Sequence, residues 1–132
     1  RPLARRCQVW LATLRAAGAQ IIVPEIADYE VRRELLRARL TASLSRLDQV
    51  SGRFTFDPIT SAAMRHAAVF WAFLRRKGLP TAGPQDLDAD AILAGQAVAA
   101  LRPGDTVTIA TTNLRHLARF PMVDAQDWTA IV

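Results

Sequence analysis

The sequence predicts an α/β fold, a three-layer α/β/α sandwich around a mostly parallel central sheet. Short β-branched runs alternate with helical periods of apolar residues, and the run 20–23, Gln-Ile-Ile-Val, feeds through Pro24 directly into a helical segment. Farther along, a small-residue helix opening on acids precedes a β-branched run at 106–110 that ends in the polar turn Thr111-Thr112-Asn113. α/β proteins gather side chains in this way at the carboxyl edge of a parallel sheet.

Each element has local grounds. Leu3, Cys7, Trp10, Leu11 and Leu14 recur at helical spacing and Gly18 stands where a C-cap belongs, which predicts a first helix over 3–15. Pro24 closes the strand 20–23, and 25–39 reads as a helix with proline at its start. A weaker helix over 40–50 turns Leu44 and Leu47 inward until Gly52 breaks it, and 53–59 then alternates as a second strand. Thr60 or Ser61 caps the longest helix, which runs to Lys77 on Ala63, Ala67, Phe70, Trp71 and Leu74 and stops at Gly78. The proline-bearing stretch 79–85 reads as a loop. A helix over 88–101, the turn Arg102-Pro103-Gly104-Asp105, a strand over 106–110, a short helix over 114–118 and a tail through Asp127 and Trp128 follow. Trp10, Trp71 and Trp128 are expected as core anchors.

With 132 residues, 51% of them hydrophobic, the chain can bury one core, and a single domain is expected. The lone Cys7 forms no internal disulfide and has no partner at metal-ligand spacing, which points to a reducing compartment and a cytoplasmic protein. No apolar run is long enough to span a bilayer, and the arginine-rich start lacks the pattern of a secretory signal. Basic residues outnumber acidic ones 17 to 12, with Lys77 the one lysine, and arginine forks match phosphate geometry. The arginines are nevertheless scattered, at Arg5, Arg32, Arg46, Arg65, Arg75 and Arg119 among others.

Candidate acids come from two helices. Glu25, Asp28, Glu30 and Glu34 lie on the second, and Asp86, Asp88 and Asp90 surround the start of the fifth, with Asn113 after the last strand. A phosphodiesterase that works through hard cations needs several such oxygen ligands. On the helical wheel Ala27, Val31, Leu35 and Ala38 form a buried arc, with Glu34 intruding and Glu30 on its edge; the wheel alone does not choose between them. A structural reading is equally local. Asp88 fits an N-cap, Asp90 a first-turn acid favoured by the helix dipole, and Glu30 and Glu34 face Arg33 and Arg37 at salt-bridge spacing. His66 and His116 have no nucleophile motif beside them and read as boundary or surface residues.

Three segments, Ile21-Ile22-Val23-Pro24-Glu25-Ile26-Ala27-Asp28-Tyr29-Glu30-Val31-Arg32-Arg33, Leu87-Asp88-Ala89-Asp90-Ala91-Ile92-Leu93-Ala94 and Ala110-Thr111-Thr112-Asn113-Leu114-Arg115-His116-Leu117, resemble in this order the PIN-domain nucleases, especially VapC-type toxins. The resemblance spans about residues 20 to 128. It implies a PIN-like fold and a metal-dependent endoribonuclease in which Mg²⁺ or Mn²⁺ is held by Glu30, Asp88 and Asp90 while water attacks an RNA phosphodiester. Glu30, Asp90 and Asn113 are then the catalytic positions, with Asn113 orienting a carboxylate or water and Glu34 in support. Arg32, Thr112, Arg115 and Arg119 are the expected RNA contacts, and Thr111 is an alternative to Thr112. Glu30, Asp88, Asp90 and Asn113 are expected to meet at one sheet edge. The family's opening strand and its aspartate are not matched by any residues here, and a sheet without that strand has exposed ladder edges that invite a second copy. The implied partners are RNA, a small antitoxin protein and a homodimer mate. A second reading keeps the scaffold without catalysis, as a nucleic-acid-binding or partner-binding module using Arg32, Arg53, Arg115 and Arg119. A phosphorylated small molecule as substrate finds no Gly-rich loop or nucleophile elbow to support it.

Overall fold

The computed structural model describes residues 2–78 and 84–131, with side chains from 3–78 and 87–131. Most of the loop read over 79–85 and the side chain of Asp86 lie outside the described residues. The chain divides into two compact units, the first ending at Asp57 and the second beginning at Pro58.

The first unit comprises α1 (Pro2–Ala16), β1 (Ile22–Pro24), α2 (Glu25–Arg37), α3 (Thr41–Arg53) and β2 (Thr55–Asp57). β1 and β2 pair in parallel, Ile22 with Thr55 through Pro24 with Asp57, and α2 and α3 form the crossover that parallel pairing requires. α1 ends as its sequence indicates. Gly18 takes a φ of 90° while Gly18 N donates to Arg15 O at 3.0 Å and Ala19 N to Leu14 O at 3.0 Å, closing the last turn. α2 closes in the same manner, but the left-handed residue is Arg39, with a φ of 57°. α3 runs through Gly52 to Arg53, since one interior glycine costs a helix only about 1 kcal/mol.

Burial in this unit departs from the wheel. Val31 is 49% exposed and Ala38 is also exposed, whereas Ile26 and Asp28 are the buried residues of α2. Asp28 is buried because it ties α2 to α3. Arg32 grips its carboxylate with two bonds, Nε to Oδ1 at 2.9 Å and Nη2 to Oδ2 at 3.1 Å, and Ser51 Oγ donates to Oδ2 at 2.9 Å. The same guanidinium reaches Asp48 Oδ1 at 2.9 Å. These donors, Arg32 first, hold the Asp28 carboxyl below its ordinary titration range, and the two carboxylates raise the Arg32 guanidinium further above its own. Glu34 does not intrude into a buried arc, because its side chain is 60% exposed and pairs with Arg37 at 2.9 Å.

The second unit holds α4 (Ser61–Lys77), α5 (Pro84–Ala99), β3 (Thr108–Thr111), α6 (Leu114–Leu117), β4 (Asp124–Asp127) and a 3-10 turn at Trp128–Ala130. Thr60 caps α4 by accepting from Ala63 N at 3.1 Å, and Gly78 ends it in the left-handed region. Ala63, Ala67, Phe70 and Leu74 are buried as expected, and with Leu87, Ala91, Ala94, Ile109, Leu117 and Phe120 they make up most of the unit's core. Trp71 is not a core anchor. It is 39% exposed at the edge of the stripe with Arg75 stacked over its ring at 5.2 Å, and Trp10 and Trp128 are half-buried. α4 and α5 approach closely: a Cβ on Gly95 would collide with Ala63 O and stand 3.0 Å from Ala67 N.

Two further sequence expectations are corrected in this unit. α5 begins at Pro84 rather than at Asp88, so Asp88 is not an N-cap and Asp90 lies beyond the first turn. The tail is a strand, β4, paired in parallel with β3 from Thr108 with Asp124 to Thr111 with Asp127. Its sequence, Asp-Ala-Gln-Asp, carries no apolar alternation; backbone pairing and a 2.6 Å bond from Thr108 Oγ1 to Asp124 Oδ2 hold it. All described strand pairs are therefore parallel, as expected for the α/β class, and they form two separate two-stranded ladders. Among the described residues no helix is long and apolar enough to cross a membrane.

Gly95→Ala is expected to destabilise the chain by roughly 2–3 kcal/mol in urea unfolding, because the new methyl meets backbone that cannot rotate away. Asp88→Ala should change stability by less than about 0.5 kcal/mol, whereas loss of a true N-cap would cost about 1. The depressed Asp28 carboxyl stabilises the fold fully above about pH 4, and this contribution is lost as pH falls through its folded value. Asp28→Asn should lower the thermal midpoint at pH 7 by roughly 5 °C and flatten the decline of stability in acid.

Candidate functional site

The carboxyl end of β3 is built by a tight polar exit. Thr111 Oγ1 accepts the backbone N–H of Asn113 at 2.8 Å, folding the turn back on the strand. Asn113 stands at the N-cap position of α6 without capping it; its Nδ2 instead lies 3.1 Å from His116 Nδ1. Donation from that amide makes Nδ1 an acceptor, which places the proton of a neutral His116 on Nε2.

Two buried apolar residues fix the polar ones beside them. Leu117 and Phe120 are 2% and 3% exposed, and Phe120 packs edge-on against Phe70 with ring centroids 5.7 Å apart. His116 and Arg119 each precede one of these anchors, so the same three-residue spacing aims both at one place. Arg119 Nε donates to His116 O at 2.8 Å, and its guanidinium lies 6.0 Å from the Phe120 centroid.

The place they are aimed at is Asp90. It sits on α5 between Ala89 and Ala91, both buried, and its own side chain is 22% exposed. Its Oδ2 is 3.6 Å from Arg119 Nη2, which is ion-pair distance and longer than a hydrogen bond, and 3.6 Å from His116 Nδ1, which forms an ion pair only when the ring is protonated. Asp90 and Asn113 thus share one neighbour, the Nδ1 nitrogen of His116.

Asp88, Thr112 and Arg115, also expected at the site, lie in the same unit. Asp88 lies two residues before Asp90 and hence about 200° around the helix. It is exposed at a groove of about 380 Å³ lined by Met64, Ala67, Ala68, Trp71, Ala91 and Ile92. Thr112 and Arg115 are exposed beside the β3 exit. Glu30 and Arg32 belong to the first unit. Glu30 is 41% exposed and 3.9 Å from Arg33, while Arg32 binds Asp28 and Asp48. Sequence reasoning missed His116 and Arg119 as partners of Asp90. The available signal was their spacing around Leu117 and Phe120 in the short helix and turn leaving the last β-branched strand.

Among the described residues, neither unit holds three or more His, Cys, Asp or Glu grouped closely enough for a metal ion. The Asp90 carboxylate and the Asn113 carboxamide, which share His116 Nδ1 as a neighbour, offer hard oxygen ligands. They suit Mg²⁺ or Mn²⁺ in kind, since Mg²⁺ is commonly held by one or two carboxylates with water and substrate phosphate completing its shell.

No family model matches the chain, and no curated protein matches it in sequence. Solved structures do match. A chain of the VapBC2 complex from Rickettsia felis bound to a DNA fragment from their promoter superposes with a TM-score of 0.68 at 19% identity, over 89% of this chain and 81% of that one. A chain of DNA-bound VapBC from Salmonella typhimurium does so with a TM-score of 0.64 at 23% identity, over 89% and 82%. At these identities the likeness is one of fold: this chain is a structural relative of the VapBC proteins and carries their PIN-like, helix-rich α/β architecture with short parallel strands.

Proposed function

We propose that this chain is a divalent-metal-dependent endoribonuclease of the VapC type, the toxin half of a toxin–antitoxin pair, acting in the cytoplasm. The observation that carries the reading is the convergence of Asp90 and Asn113 on His116 at the carboxyl end of β3, in a chain that shares its fold with VapBC structures. The resemblance in sequence supplies the reaction. Asp90 and Asn113 would hold Mg²⁺ or Mn²⁺, with Glu30 proposed as a further carboxylate; Asp88, the other acid the resemblance names, faces the groove on another side of α5. Bound there, the ion would activate water and neutralise charge on the phosphodiester.

The chain's own residues have separate tasks. His116 orients the Asn113 amide, and Asn113 in turn directs its Oδ1 away from the ring. Thr112 and Arg115 are exposed beside the exit and would meet RNA phosphates, Arg115 by its planar fork and Thr112 by a single hydroxyl. A small antitoxin protein and a second copy of the chain are the protein partners this reading implies. A non-catalytic nucleic-acid-binding module is the second reading, and one observation favours it: the Arg119 guanidinium faces the Asp90 carboxylate from within the chain.

Calorimetric titration of Mn²⁺ into the wild type and Asp90→Asn, with cleavage of a generic RNA followed on the same samples, tests the proposal. Binding should weaken about tenfold or more in Asp90→Asn, with cleavage lost. Glu30→Gln in the same titration reads whether that carboxylate contributes. RNA binding that falls with salt but is indifferent to Mn²⁺, without cleavage, would replace the enzyme by the binding module.

A further inference from the structure

Arg119 is unusual among the ion-paired arginines. Its side chain is 15% exposed, against 34% for Arg32, 51% for Arg33 and 73% for Arg37. It is also held from behind. The Nε bond to the His116 carbonyl fixes the plane of the guanidinium, and Phe120, itself in the core, lies against it. A guanidinium fixed at Nε and packed on a buried ring does not sweep solvent in search of phosphate; it presents its remaining N–H groups in one direction. Its Nη2 lies 3.6 Å from Asp90 Oδ2.

We infer that Arg119 is a resident counter-ion of Asp90, a positioning residue that stands at the carboxylate oxygen a divalent ion would take and so weakens binding of that ion. The pairing is independent of the nuclease reading; the consequence for metal affinity rests on it. A buried or half-buried carboxylate facing neutral walls would be costly to keep ionised, and the fixed cation offsets that cost when no metal is bound. A divalent ion arriving at the same oxygen meets a positive charge that cannot retreat freely. At about 5 Å in water-like surroundings and physiological salt, that repulsion corresponds to about a fivefold loss of affinity.

The test uses the full chain and two readouts. In Mn²⁺ titrations, Arg119→Gln should bind about fivefold tighter than the wild type, and Arg119→Lys, which keeps the charge but loses the Nε anchor, should fall between the two. Arg119→Met retains the aliphatic stem over Phe120 and serves in place of Arg119→Gln if the latter does not fold. In EDTA, urea unfolding of Asp90→Asn, Arg119→Gln and the double variant forms a cycle in which the double change should destabilise less than the two single changes added together. Unchanged or weaker Mn²⁺ binding in Arg119→Gln, with binding still dependent on Asp90, would overturn the competition. An additive cycle would overturn the pairing. If no variant binds Mn²⁺, the nuclease reading fails and the cycle alone decides whether Arg119 is the counter-ion of Asp90.

Discussion

A Cβ at position 95 would meet the Ala63 carbonyl and lie 3.0 Å from the Ala67 nitrogen, so α4 and α5 touch backbone to backbone. That approach is possible because the facing positions are small: Ala63 and Ala67 on one helix, Ala91, Ala94 and Gly95 on the other, all buried. Small residues exclude side-chain volume from the contact and leave the larger Phe70, Leu74 and Leu87 to fill the rest of the core. The consequence reaches the site. α5 cannot rotate about its axis without driving a side chain into α4, and the fixed rotation puts Asp90 at the border of the core rather than in solvent.

The opposite wall of the site is set by a second constraint. Ile109 of β3, Leu117 and Phe120 enter the same core, so the polar residues between them have little freedom. Asn113, His116 and Arg119 are spaced at three residues along this segment, and each reaches the next: the Asn113 amide to the His116 ring, the His116 carbonyl to the Arg119 Nε. The network is short and local, and Asp90 joins it from α5. A pairing of this kind, between a helix and the segment that follows a strand two elements later, is a product of packing. It gives the acid a defined electrostatic neighbourhood before any ligand arrives.

Arginine use in the folded chain tempers what the formal charge of +5 suggests. Arg32 is bound to two carboxylates, Arg119 faces a third, and Arg33 and Arg75 lie over the Tyr29 and Trp71 rings at 5.2 Å each. Guanidinium groups that bridge helices or cover aromatic surface act as packing elements as much as charges. Among the described residues, Arg115 is exposed beside the candidate site.

Local rules were sufficient for the helices and their ends. The apolar period of α4, the Thr60 cap and Gly78 stop, and the Gly18 closure of α1 all depend on residues within a turn of one another, and the sequence by itself determined them. It also determined the α/β class, since β-branched runs feeding helices require parallel pairing. The start of α5 was misread at Asp88 because an aspartate there has the chemistry of a cap, while Pro84 is an equally good first helical residue. β4 was illegible because polar residues form a strand only when a partner ladder is present to pair with them. Tertiary structure alone decided which acid acquires partners. Asp88 and Asp90 are chemically identical and two residues apart, yet the axial rotation that Gly95 imposes sends one to the groove and the other to His116 and Arg119. No local pattern encodes that rotation, because it is set by the shape of the neighbouring helix.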